Sequence, residues 1–359
     1  MAPSGDSAFA RRLVRDWYLP HLTPLTALLW PLSLLFGTAA AFRRMQYRRG
    51  WRHVERLPVP VVVVGNITVG GAGKTPFCAA LVAALQERGY RPGIVSRGYG
   101  RRDSAAREVA PRDDPGHVGD EPLILAETGV PVFVGRDRAA AGRALLAVHP
   151  DCDVLVSDDG LQHYRLGRDV EIAIVDQARG VGNGCLLPAG PLREPEARLD
   201  EVDAVVRLVS GDVSRAGTGE GRATFTTHVP QPWRNLVHPQ READPAAWAG
   251  SGVHAIAGIA HPQRFFATLR AAGIAATEHA FADHHAYRAG DLDFPGATAI
   301  LMTQKDAVKC ARFADERHWF LPVRATVDPA LVDLVEESIG GPQAARAARV
   351  PGNQGTPGV

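Results

Sequence analysis

Residues 61–76 read VVVVGNITVGGAGKTP, and no other stretch limits the fold of this chain as tightly. Together with Val59 and Pro60, the valine run is long enough for one strand and too uniform to keep a wet face, which places it inside a parallel sheet covered on both sides. Beyond the loop, Phe77, Ala80, Leu81, Ala84 and Leu85 recur at helical spacing, and Gly89 supplies a stop. A strand, a glycine-rich loop and a helix in that order form the setting in which backbone amides at a helix start cradle phosphate oxygens. Gly70, Gly71 and Gly73 let the chain curl, with Thr68, Val69 and Ala72 completing the cradle. Lys74 is placed to reach the β- and γ-phosphates of a nucleotide and Thr75 to ligate Mg²⁺. The general pattern G-x-x-x-x-G-K-[ST] requires a glycine six residues before the lysine, and Thr68 stands there. The consensus is weaker at that point, but the cradle is kept. The expected class is α/β, with a P-loop NTPase-like parallel sheet.

Composition sets the outer limits. With 359 residues, 45% of them hydrophobic and 22% charged, there is material for two α/β domains with real cores, and a mainly disordered chain is excluded. A net charge of +1 argues against a nucleic-acid binder. The cysteines Cys78, Cys152, Cys185 and Cys310 show no C-x-x-C pairing and no metal-ligand spacing, so reduced thiols are expected. Lysine is scarce: of 40 basic residues only Lys74, Lys305 and Lys309 are Lys. In a chain that writes its positive charge as Arg, a lysine marks a place where a compact ammonium is wanted. Lys74 is read that way and Lys309 as incidental.

The N-terminal part is charged and apolar by turns. Residues 17–42, WYLPHLTPLTALLWPLSLLFGTAAAF, contain no Asp, Glu, Lys or Arg, and RRMQYRR follows at once. The length would span a bilayer, but Pro20, Pro24 and Pro31 would break hydrogen bonds within it, and no small-residue cleavage site follows a short signal core. The expectation is an apolar, helix-containing segment at a membrane interface, with its arginines against anionic headgroups. A spanning helix, or one packed on the protein's own core, is the alternative.

A phosphate loop needs a partner that holds the metal. Residues 153–163, DVLVSDDGLQH, read as a short apolar strand ending in paired carboxylates, where Asp158 or Asp159 can hold Mg²⁺. Gln162 and His163 are then expected at the same crevice, because open α/β sheets bind ligands outside the carboxyl ends of their strands. Two further stretches suit a second substrate. SRGYGRR, residues 96–102, offers Arg97, Tyr99 and Arg101 among flexible glycines. VGDEPLILA, residues 118–126, places Asp120 and Glu121 at the start of an apolar helix, where a carboxylate can cap the helix or accept a proton from an attacking hydroxyl. The polar run 210–224 reads as a boundary, and the α/β rhythm resumes after it. The expected divisions are a basic, apolar membrane-associating segment over residues 1–57, a nucleotide-binding domain over 58–210, a smaller α/β domain over 225–340 closing over the cleft, and a disordered tail over 341–359.

Seven motifs, GNITVGGAGKTP, SRGYGR, GDEP, DDGLQH, LLPAGPLREP, FADHH and TQKDAVK, occur in the order found in tetraacyldisaccharide 4'-kinases, and over residues 59–323 the chain resembles that family. The resemblance implies phosphoryl transfer from ATP, with Mg²⁺, to the lipid A disaccharide precursor at the cytoplasmic face of the bacterial inner membrane, by a protein held there peripherally or by its N-terminal anchor. No obligate protein partner is implied. Matched position by position, Lys74 and Thr75 serve ATP and metal, and Asp120 resembles the residue that activates the acceptor hydroxyl, with His284 completing a dyad across the cleft. Glu121, Asp158, Asp159 and Gln162 match the metal and phosphate network. Arg193 and Glu194, and with them Arg97 and Tyr99, match positions near the acceptor, and His163 is placed beside them. Thr68 looks like the family's own variant of the loop.

Ala260 stands where a glycine is expected and Gln304 where an acid is usual, and His285 has no counterpart and no assigned role. Two other classes share some of these features. A membrane-associated P-loop ATPase acting as a switch or scaffold typically has a lysine early in its loop, where Val69 stands. A metal-insertion chaperone needs a Cys/His cluster that this sequence lacks.

Overall fold

The computed structural model describes residues 8–71, 73–101, 103–211, 223–250 and 252–341. The chain runs α1 (Ala8–Asp16), α2 (Pro24–Arg48), β1 (Val61–Gly65), α3 (Lys74–Glu87), β2 (Pro92–Ser96), β3 (Arg107–Glu108), α4 (Pro115–Val118), α5 (Asp120–Ala126), β4 (Val132–Val134), α6 (Arg138–Val148), β5 (Val154–Asp158), β6 (Val170–Asp176), β7 (Ala204–Val209) and β8 (Ala223–Pro230). It continues with β9 (Trp233–Asn235), β10 (Glu242–Ala243), β11 (Val253–Ala257), α7 (Pro262–Ala271), β12 (Thr277–Ala280), β13 (Ala299–Thr303), α8 (Gln304–Cys310), β14 (His318–Leu321), β15 (Val323–Ala325) and α9 (Pro329–Ile339).

The valine run forms β1, and all five of its residues are buried. It sits mid-sheet in the order β15-β8-β7-β6-β1-β5-β2-β4-β3, parallel to both neighbours. Apolar layers cover both faces: Val62, Val64, Phe77 and Leu81 on one, Val61, Val63, Leu145 and Leu155 on the other. A fully buried strand can afford no polar side chain, which is why alternation is missing from its sequence. The second sheet, β10-β9-β14-β13-β11-β12, is parallel from β14 to β12 and has its own two cores.

The division between the sheets differs from the expected one at 210 to 225. β8 adds to the first sheet beside β7, the chain leaves for the second sheet only after Pro230, and it returns as β15 and α9. Leu331, Val335 and Ile339 of α9 join the core under β1, an attraction between residues far apart in sequence that local pattern cannot reveal. Residues 342–359, expected to form a disordered tail, lie outside the described residues.

The prolines do not break α2. Pro20 precedes it, and Pro24 takes its first turn, where no backbone donor is missed. Only Pro31 lies inside its 25 residues. Thr23 caps the start: its hydroxyl accepts from Thr26 N and donates to Asp16 Oδ2 at 2.9 Å. α2 is long and apolar enough to cross a membrane, with mean hydropathy 1.7 over 18 residues, and its Leu28 and Leu35 are bare. Only Thr26 and Ser33 are buried, so α2 is not a core helix of the protein.

Candidate active site

The loop after β1 is held from both sides. Thr68 pairs in antiparallel fashion with Leu192, and Val69 N donates to Pro191 O at 2.8 Å. The backbone at Thr68 is therefore extended, and a side chain is tolerated where the general pattern has glycine. Gly70 (φ 102°) and Gly73 (φ 77°) take left-handed conformations that L side chains avoid. Gly73 also stands at the cap of α3 without a side-chain cap, so the first amides of the helix face the cleft. Ala72 lies outside the described residues. Asn66, given no role from sequence, organises the loop: its amide Nδ2 donates to Thr68 Oγ1 and Gly70 O, and its Oδ1 accepts from Lys74 Nζ at 3.2 Å.

Register sets the carboxylates beside this loop. Val64 of β1 lies opposite Asp158 of β5, so the strand that launches the loop and the strand that ends in acids finish together. Asp158 is fully buried, and its Oδ2 has no hydrogen-bond partner. Burial, reinforced by the charges of Glu121 and Asp159, pushes its pKa up to about 7. Asp159 takes a positive φ of 51° and pairs with Lys74 at 3.5 Å and Arg193 at 3.2 Å. Burial acts to raise its pKa too, but Lys74 and Arg193 outweigh it and hold it at about 2. Among the described residues, no three His, Cys, Asp or Glu groups form a self-sufficient metal site. A buried, unpartnered carboxylate oxygen, on a residue whose other oxygen meets Cys78 of α3, is nonetheless what a Mg²⁺ carried in by phosphate oxygens requires, since that ion takes few ligands from protein.

Across the cleft, Asp120 opens α5 and accepts from His284 Nδ1 at 3.0 Å, and this contact joins the two sheets' layers. Burial acts to raise the pKa of Asp120, but the hydrogen bond from His284 and the charges of Lys309 and Lys305 prevail, keeping it below the usual carboxylate range. His284 also takes a positive φ of 57°, and its ring lies 5.0 Å from that of Tyr99. Lys305 reaches His284 Nε2 at 3.2 Å, Glu121 at 3.4 Å and Asp283 at 3.5 Å. Its neighbour Gln304 donates to Glu127 at 2.6 Å, a contact that an acid at 304 would turn into repulsion.

One cavity of about 580 Å³ contains Lys74, Thr75, Glu121, Asp159, His284 and Lys305 on its walls, with Arg97, Tyr99 and Arg193 beside them. Gln162, His163 and Glu194, expected at the crevice, do not line it, and neither do the buried Asp120 and Asp158. Gln162 donates to Asn66 O and accepts from Arg193, bracing the loop from behind. His163 accepts from Arg138 N and lies near Asp137, and burial together with Arg138 lowers its pKa to about 4. Glu194 is buried, accepting from Tyr164 at 2.5 Å and pairing with Arg198. Strand ends fix a residue's height above the sheet but not its direction, and these three turn into the protein. His285 pairs with Asp291. Lys309, read as incidental, is buried and pairs with Asp306 at 2.9 Å.

A parallel sheet that presents a phosphate loop, an adjacent acid pair and a carboxylate–histidine pair around one cleft defines a P-loop phosphotransferase. Comparison with known proteins narrows this class. The family model described as Tetraacyldisaccharide-1-P 4'-kinase matches residues 25–340, and the chain belongs to that family. A tetraacyldisaccharide 4'-kinase of Chromobacterium violaceum is 51% identical over 332 residues, covering 90% of this chain and 97% of that protein. One from Azoarcus sp. is 52% identical over 318 residues, covering 88% and 92%. LpxK from Aquifex aeolicus, solved in complex with ATP, superimposes with a TM-score of 0.72 at 28% identity, covering 88% of this chain and 100% of that one.

Proposed function

We propose that this kinase transfers the γ-phosphoryl group of ATP to the 4'-hydroxyl of a tetraacylated glucosamine disaccharide 1-phosphate, a step of lipid A biosynthesis. The observation that carries the reading is the Asp120–His284 pair: His284 lines the cavity together with Lys74 and the phosphate loop, and Asp120 is bound to it at 3.0 Å. Phosphoryl transfer asks for alignment, charge neutralisation and a positioned base, and little else of the protein. Lys74 and the amides of Gly70 to Gly73 bind and neutralise the phosphates. Asp120, ionised, accepts the proton of the sugar hydroxyl, while His284 holds its carboxylate in place. Arg193, Arg97 and Tyr99 orient the acceptor along the cavity wall. Thr75 and Asp158, with Asp159 and Glu121 nearby, would hold Mg²⁺, which supplies charge neutralisation to the phosphates when bound.

The acceptor's acyl chains stay in a bilayer, and the bare face of α2 suits that surface. The arginines at 43, 44, 48 and 49 support a cytoplasmic position for its carboxyl end, on the side where ATP is available. The deciding experiment is transfer of label from γ-³²P-ATP to the tetraacylated disaccharide 1-phosphate in detergent with Mg²⁺, comparing the native protein with Lys74→Ala. Labelled lipid from the native protein alone supports the reading. ATP consumed with no labelled lipid refutes it.

A further inference from the structure

Lys305 stands where helix stability alone would not put it. It is the second residue of α8, and a cation in a first turn opposes the helix dipole. Its three partners come from other elements: Glu121 from α5, Asp283 and His284 from the loop after β12. α8 is already fixed without it. Thr303 caps the helix, and Asp306 accepts from Gly258 N, Tyr287 and Thr303 and pairs with buried Lys309. The side chain of Lys305 is 19% exposed and lies on the cavity wall, so the ammonium is held in place rather than left to wander in solvent.

We propose that Lys305 is a positioning residue of the phosphoryl transfer, acting through His284. An ammonium has donors and no acceptor, so a contact of 3.2 Å with His284 Nε2 requires that nitrogen to be unprotonated. The ring proton is then on Nδ1, where it donates to Asp120 Oδ2 at 3.0 Å. Asp120, an acceptor only, calls for the same Nδ1–H, and Lys305 keeps a second proton off Nε2, so that His284 meets Asp120 as a neutral donor. The same ammonium stands between Glu121 and Asp283, and so joins the acids of the two facing layers. A guanidinium keeps the charge but spreads its donors over a planar fork, which fits three convergent contacts less well. The inference rests on the reading of Asp120 as the base.

The test uses the full chain in detergent, with ¹⁵N-labelled histidine and the ring resonances of His284 identified by their loss in His284→Gln. Without substrates, the native protein should show His284 as a neutral ring protonated on Nδ1 alone, and Lys305→Met should show protonation at Nε2 as well. In the transfer assay, Lys305→Met should lower kcat tenfold or more, with KM for ATP within twofold and the melting temperature within about 2 °C. Lys305→Arg should lie between Met and native in kcat. An Nε2–H ring in the native protein, an Nε2 that stays unprotonated in Lys305→Met, or an unchanged kcat overturns the proposal. The tautomer is read with no acceptor present, so it judges Lys305 whether or not labelled lipid is formed.

Discussion

Asp158→Asn should stabilise the protein in the absence of metal and nucleotide, and should do so more strongly at pH 8 than at pH 5. The carboxyl is fully buried, one of its oxygens has no partner, and Glu121 and Asp159 add repulsion. A rise in pKa from the ordinary 3.8 to about 7 corresponds to about 4 kcal/mol of destabilisation once the group is ionised in both states. The folded protein binds the extra proton between about pH 4 and pH 7, so the contribution of Asp158 to stability falls as pH rises through that window and is level above it. Asparagine removes the charge but leaves a buried amide donor without a partner, which costs about 1–3 kcal/mol. The net gain is about 2 kcal/mol at pH 8 and close to nothing at pH 5, or about 3 °C in melting temperature for a chain of this size. Thermal unfolding in detergent with EDTA, at the two pH values, reads the difference directly. The same substitution should nearly abolish lipid labelling. A variant whose midpoint relative to native does not change between pH 5 and pH 8 would show that Asp158 is not a stored charge, and the metal-holding role inferred from its orphan oxygen would fall with it.

Other substitutions separate chemistry from scaffold. Asp120→Ala should lower kcat by about 10²–10⁴ while ATP affinity changes little, and an unchanged turnover number would remove Asp120 as the base. Gly73→Ala would put a methyl group 2.7 Å from His228 Nε2 in a backbone conformation with φ 77°, so ATP binding measured by equilibrium titration should weaken at least tenfold. Lys309→Met leaves the buried charge of Asp306 without its counter-ion and should destabilise by about 3 kcal/mol in denaturant titration, with KM for ATP unaffected in the protein that remains folded.

The parts of the molecule legible in sequence are those whose cause is local. A strand buried on both faces writes itself as valines, and a left-handed turn as glycines. Paired acids after such a strand mark the sheet edge, and the structure brings Lys74, Asp159, Glu121 and His284 to one cavity as their motifs suggest. What escaped was set by long-range pairing. Asn66 looks like loop filler until its amide is seen clamping Gly70 and Lys74. Lys309 reads as incidental for a different reason: Asp306 stands three residues before it in the sequence, but only the packing around the pair shows that both are buried. The return of residues 323–339 to the first sheet carries no local mark, because α9 owes its place to Val62 and Phe77 rather than to its own neighbours. Pro31 misled for the opposite reason: the local rule is sound, but one proline in 25 residues is outweighed by the rest of an apolar helix.

The segment LLPAGPLREP explains why an apolar helix and a phosphate loop belong to one machine. On its outer side Ala189 N donates to Ser33 of α2, Pro188 O accepts from Trp17 Nε1, and Leu186 fills the notch at Gly37. On its inner side Pro191 O accepts from Val69 N, Leu192 bridges Thr68, and Arg193 N donates to Ile67 O at 2.7 Å. Gly190 is packed against Asn183 and Cys185 with no room for a Cβ, so the connection is short and stiff rather than a tether. Arg44 of α2 pairs with Glu201, and Tyr47 lies against Tyr164, which fixes the other end of the helix to the same body. The distance from the apolar surface of α2 to the γ-phosphate position is therefore set by packed, hydrogen-bonded backbone rather than by a flexible linker. On the proposed function, an acceptor whose acyl chains follow α2 would meet its phosphoryl donor at a fixed height, and that fixed height would supply the alignment on which phosphoryl transfer chiefly depends.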